Sequence, residues 1–131
     1  MANQASGTFT IDSWEDEPFG ERDGVTLGRV RATKTFSGEI AGTSTAALVM
    51  AGAQEGYAAY VGLEQVVASV QGRSGSFVLQ HSATMTKDSQ SLSLTVVPDS
   101  GTGELLGLRG EARIDIDAEG GHTLILDYDL D

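Results

Sequence analysis

The stretch from Tyr57 to Met85, YAAYVGLEQVVASVQGRSGSFVLQHSATM, constrains this chain more than any other. Two long runs rich in Val, Leu, Phe and Tyr flank the polar cluster Gln71-Gly72-Arg73-Ser74. Apolar β-type runs around a short Gly-containing break are the signature of a β-hairpin. With Gly72-Arg73 as the turn, Gln71 faces Ser74. Val70 then faces Gly75, Ala68 faces Phe77, Val66 faces Leu79, Gly62 faces Ala83 and Tyr60 faces Met85. Side chains alternate along a strand, so all of these share one side of the ribbon. Glu64 falls on the same apolar side, opposite His81. An acid and an imidazole inside an otherwise apolar face form the most informative polar feature of the sequence.

The rest of the chain continues the β pattern. Met1 to Ser6 is a polar lead-in, expected to fray or be disordered. Thr8 to Trp14 alternates with Phe9 and Ile11 on one side. Trp14 has the opposite parity, so either a bulge intervenes or Trp14 covers the outside. Glu15 to Gly24 is acidic, carries Pro18, Gly20 and Gly24, and is expected to be a loop with Phe19 folded over a barrel mouth. Val25–Phe36 and Ile40–Ala51 are two further strands around Ser37-Gly38-Glu39. Two- and three-residue turns are both compatible with that pair, so its register stays open.

Lys87 to Gln90 turns the chain again, and Leu92 to Val97 forms a strand closed by Pro98. Asp99 to Gly103 is a compact turn. Glu104 to Leu108 is either a single helical turn or an irregular crossing. In Gly110–Ala118, Ala112, Ile114 and Ile116 alternate with Glu111, Arg113, Asp115 and Asp117. In Thr123–Leu130, Leu124, Leu126, Tyr128 and Leu130 face inward. A three-residue loop, Glu119-Gly120-Gly121, would set Ile116 against Leu124, Ile114 against Leu126 and Arg113 against Asp127.

No segment sustains helical periodicity. About eight strands with short connections and one apolar face each predict an all-β chain. The expected architecture is a single closed antiparallel barrel, mostly an up-and-down meander, filling residues 1–131 as one domain. The inward positions are rich in Ala, Gly, Ser and Thr, which predicts an internal cavity.

Composition narrows the function classes. A formal net charge of -11 repels phosphate backbones and anionic lipid, so neither nucleic-acid nor membrane partners are expected. The absence of cysteine excludes disulfides and thiolate metal sites and favours a cytoplasmic location. The N-terminal residues lack the basic and apolar regions of a secretory signal, and no apolar run reaches the length of a membrane span.

GTSTAALVM (Gly42–Met50), YVGLEQVVASVQGRSGSFVLQH (Tyr60–His81) and VPDSGTGELLGLRGEARI (Val97–Ile114) together resemble an uncharacterised bacterial domain-of-unknown-function family. The resemblance covers nearly the whole chain. It implies an eight-stranded barrel like that of allene oxide cyclase, with a polar patch in a mostly apolar lumen. It supplies no activity, because a shared fold does not carry function.

Glu64 and His81 admit three roles. They are a buried pair satisfying its own hydrogen bonds, an anchor for a ligand's polar end, or a general base with its orienting partner. Tyr60 and Tyr128 point inward and offer phenol donors, and Met85 shares their face, so these five residues form the candidate ligand site. Asp99-Ser100-Gly101-Thr102-Gly103 lacks the Gly-Lys-Ser/Thr ending of a phosphate loop and is a turn. Arg73 and Arg109 are expected to be ordinary surface residues. Asp115, Asp117, Asp127 and Asp129 make an acidic outer face, but no metal site and no cofactor are expected. No Ser elbow is present, which argues against triad hydrolysis.

The leading reading is a binder of a small, largely apolar molecule in the lumen, not an enzyme. An isomerase or cyclase using Glu64 and His81 as acid and base is the alternative, and a filled barrel acting as an oligomeric protein is another. A homodimer is expected, with Trp14 and Phe19 as its interface residues if they are exposed.

Overall fold

The computed structural model describes residues 3–130. Eight strands run in chain order: β1 (Asn3–Arg22), β2 (Val25–Gly38), β3 (Ile40–Gly52), β4 (Ala58–Val70), β5 (Arg73–Met85), β6 (Gln90–Val96), β7 (Arg109–Ile116) and β8 (His122–Asp129). Each pairs antiparallel with the next. β1 returns to β8, from Asn3 opposite Tyr128 to Phe9 opposite His122, and closes the barrel. The expected all-β meander is therefore the observed fold. Among the described residues no helix is long and apolar enough to cross a membrane.

The central hairpin forms, but with a shifted register. The turn is Gln71-Gly72, not Gly72-Arg73, and Val70 pairs with Arg73. Both turn residues have positive φ, 49° and 87°, the backbone twist that matches a two-residue hairpin. Glu64 consequently faces Leu79, and His81 faces Gly62. Parity within each strand is unchanged, so both side chains still enter the lumen.

Three other expectations are corrected. Residues 3–6 begin β1 and pair with β8, with Ala5 fully buried; Met1 and Ala2 lie outside the described residues. Glu15 to Arg22 is not a loop but the second half of β1, paired with β2 up to a turn at Asp23-Gly24. That turn has φ of 53° and 87°, so an Asp-Gly hairpin lets the outer half of β1 run as an edge arm along β2, whose other side pairs with β3 from Thr26 opposite Gly52 onward. Phe19 lies on this arm under the Arg29 guanidinium, 4.5 Å from its ring centre, and not over the mouth. Finally, the β7–β8 connection spans 117–121, because the Asp117 carboxylate accepts from the backbone N–H groups of Glu119 and Gly121. Ile114 therefore pairs with Leu124, and Ile116 with His122. Arg113 still reaches Asp127 diagonally, at 3.6 Å.

A bulge between Ile11 and Ser13 resolves the parity of Trp14. Inside the barrel, Phe36, Ile40, Val70, Phe77 and Leu126 pack one half as a solid core. The crossing from β6 to β7 seals this end: a 3-10 turn at Gly103–Leu105 buries Leu105, and Leu108 follows it. Gly75 makes the crossing fit, since a Cβ there would lie 2.0 Å from the Thr102 carbonyl oxygen. The other half has a smaller cluster, Val30, Ala32, Ala46 and Leu48, with Met50 and Tyr60 against it.

Candidate functional site

Between the two apolar clusters lies a polar layer contributed by four adjacent strands. On β2, burial of Val30, Ala32 and Phe36 carries Lys34 inward, because it shares their parity. The same logic on β3 buries Ser44 beside Ala46 and Leu48, and Lys34 and Ser44 are direct cross-strand partners. On β4, Val66, Ala68 and Val70 carry Glu64 in; on β5, Phe77 and Leu79 carry His81 in. All four polar residues are buried, Glu64 to 1% exposure and His81 to 4%.

The Glu64 carboxylate is the hub. Its Oε1 accepts from His81 Nε2 at 2.8 Å and from Lys34 Nζ at 3.2 Å, and Oε2 accepts from Ser44 Oγ at 2.5 Å. Burial alone would raise its pKa. The hydrogen bond from His81, the Lys34 charge and the Ser44 hydroxyl outweigh that and hold the carboxyl down at about 2. Glu64 is therefore an ionised acceptor with both oxygens engaged. Lys34 also sits 4.7 Å from the centre of the Phe9 ring. His81 Nδ1, by contrast, is buried without a hydrogen-bond partner.

Above this layer opens a cavity of about 410 Å³. Phe9, Ala32, Ala46, Leu48 and Ala83 supply apolar wall, and Lys34 and His81 supply polar floor. Trp14, Met85, Leu92 and Ile116 also line it. One position on the adjoining strand has to be without a side chain: Gly62, between Tyr60 and Glu64, faces both Leu48 and His81. A Cβ on Gly62 would lie 2.6 Å from Leu48 Cδ2 and 2.3 Å from the Ala47 carbonyl oxygen.

The five residues proposed from sequence separate into groups. Tyr60, His81 and Met85 come together on the cavity. Tyr60 has its ring centre 6.2 Å from that of His81, and its pKa is raised by burial and then by the Glu64 charge. Glu64 lies behind the wall and supports His81 and Lys34. Tyr128 lies elsewhere: it belongs to the packed core, and its hydroxyl donates to the Gln71 side chain at the hairpin turn. Lys34 and Ser44 went unnoticed in the sequence, although their parity with buried neighbours marks them as inward. Their detection required following the alternation through 25–36 and 40–51 as strictly as through 57–85.

A family model described as "Protein of unknown function (DUF3224)" matches residues 5–128. A solved structure of a protein with unknown function from the DUF3224 family of Shewanella oneidensis MR-1 is 39% identical, over 98% of each chain, with a TM-score of 0.85. No curated protein matches. By model match and by structure alike, this chain belongs to the DUF3224 family, whose function is unknown.

Proposed function

We propose that the barrel binds a small, largely apolar molecule in the mouth cavity, its polar end directed at Lys34, His81 and Tyr60. One observation carries the reading: an apolar-walled cavity of about 410 Å³ ends on a buried polar floor. That size and that mixture of lining are typical of small-molecule sites. Glu64 fixes the floor without touching the occupant, and Met85 and Trp14 flank the entrance. Tyr128 is left out of the proposed site, since its hydroxyl is committed to Gln71.

Acid–base isomerisation is the second reading. Under it His81 would be the proton carrier and Glu64 its orienting partner, because a carboxylate held near 2 with both oxygens engaged is a poor base. Binding is favoured, as the wall is mostly apolar and Glu64 does not itself line the cavity. A cytoplasmic location belongs to the same proposal and is supported by the lack of cysteine. Association into a homodimer is proposed through the outer face of β3 and β4, where Val49, Val61, Leu63 and Val67 are each about half exposed. The adjoining surface carries both signs, Glu15 and Glu17 beside Arg31 and Arg29, which suits contact with a second copy.

Native mass spectrometry of protein purified from cells tests the ligand reading. The expected result is a bound species of defined small mass, lost in an Ala83→Leu variant that extends a wall side chain into the cavity. If no bound species is seen, and a panel of apolar probes leaves the emission of Trp14 unchanged, the reading fails.

A further inference from the structure

An imidazole has two nitrogens, and here one of them is assigned by its partner. Glu64 is ionised and can only accept, so His81 Nε2 carries the hydrogen of the 2.8 Å bond between them. In the neutral ring Nδ1 then holds a bare lone pair. A hydrogen on Nδ1 would be a buried N–H with no acceptor in the protein. The ring is 4% exposed, lines the cavity, and leaves Nδ1 without a hydrogen-bond partner.

Building on the ligand-site reading, we infer that the occupant's polar end is a hydroxyl on an apolar skeleton, and that this hydroxyl donates to His81 Nδ1. The neighbouring groups select the same chemistry. Tyr60 shares the cavity wall with His81, and its phenol stays protonated because burial and the Glu64 charge both disfavour phenolate. Tyr60 is a donor to whatever oxygen the occupant brings. A hydroxyl accepts from Tyr60 and donates to His81 with one oxygen. An ether or ester satisfies Tyr60 alone and leaves Nδ1 bare. A carboxylate likewise has nothing to donate, sets its charge against the Nδ1 lone pair, and competes for a Lys34 already held by Glu64 at 3.2 Å. The occupants selected are therefore alcohols, phenols or enols, not fatty acids.

Three probes with one skeleton separate these cases: 4-tert-butylphenol, 4-tert-butylanisole and 4-tert-butylbenzoate, titrated calorimetrically into the purified full chain near pH 7. The phenol is expected to bind about tenfold tighter than the anisole, the weight of one buried hydrogen bond, with the benzoate weakest. In His81→Phe the phenol–anisole difference should vanish. Since that change also removes a donor from Glu64, a second readout uses the unaltered protein. Nitrogen-15 spectra should show His81 Nδ1 unprotonated and moved by the phenol but not by the anisole. A benzoate preference, equal phenol and anisole affinities, or a protonated Nδ1 in the free protein overturns this inference and leaves a ligand site standing. Heat from none of the three probes removes the ligand-site reading and the inference together.

Discussion

Glu64 shows how one buried charge ties stability to acidity. Three donors surround it, so replacing it strands Lys34 as an uncompensated ammonium in the lumen. Glu64→Gln is expected to cost about 3–5 kcal/mol in urea unfolding. Its folded pKa lies near 2, below the ordinary value of 4.5. The stabilisation is therefore complete above pH 4.5 and is lost as the pH falls through 4.5 towards 2, because the unfolded chain takes up the proton first. The loss is about 3 kcal/mol, and the acid limb of a pH–stability curve should flatten in Glu64→Gln. Tyr128→Phe should cost only about 1 kcal/mol, for its bond to Gln71, and leave probe binding unchanged in the same titrations. The pair Glu64 and His81 was legible in the sequence because polar residues interrupted apolar alternation. Lys34 and Ser44 were harder, because Thr and Arg surround Lys34 and small residues surround Ser44, so the inward face there is weakly marked.

The strands themselves were legible, since alternation and turn residues are local. Registers were not. The Gln71-Gly72 turn needs a left-handed Gln, and the Gln71 side chain that bonds Tyr128 and the Gln4 carbonyl gets its partners from strands remote in sequence. Gly72→Ala at φ 87° should cost about 1 kcal/mol. Glu15 to Arg22 reads as a loop in the sequence because nearly all of its residues are exposed, so no apolar alternation marks it as strand. Beyond Phe9, β1 has β2 on one side and no pairing to β8 on the other. Its acidic residues and Pro18 suit such an edge, which they keep from pairing with other chains. Amide hydrogens from Glu15 to Arg22 should exchange far faster than those of β4 in hydrogen-exchange measurements, as contacts to the core are sparse there. Matched protection across both strands would contradict this.

At the scale of the whole molecule, the outer apolar strip of β3 and β4 predicts association. Light scattering after gel filtration should give a dimer mass at tens of micromolar on the scale of the chain's 13.7 kDa, and Leu63→Glu should give a monomer. A monomeric wild type would remove that proposal without touching the cavity. The lumen has a different asymmetry. One half is solid, sealed by Leu105 and Leu108, and the polar layer lies between it and the cavity. The barrel is thus a cup with its polar layer at the base, so a guest of the proposed kind would descend head-first and leave by the rim it entered. Along a series of 1-alkanols, affinity should climb with each added methylene while the tail still lines the cup wall, then level off once it emerges past Trp14. Such a vessel would gauge the head of its guest strictly and the tail only as far as the rim.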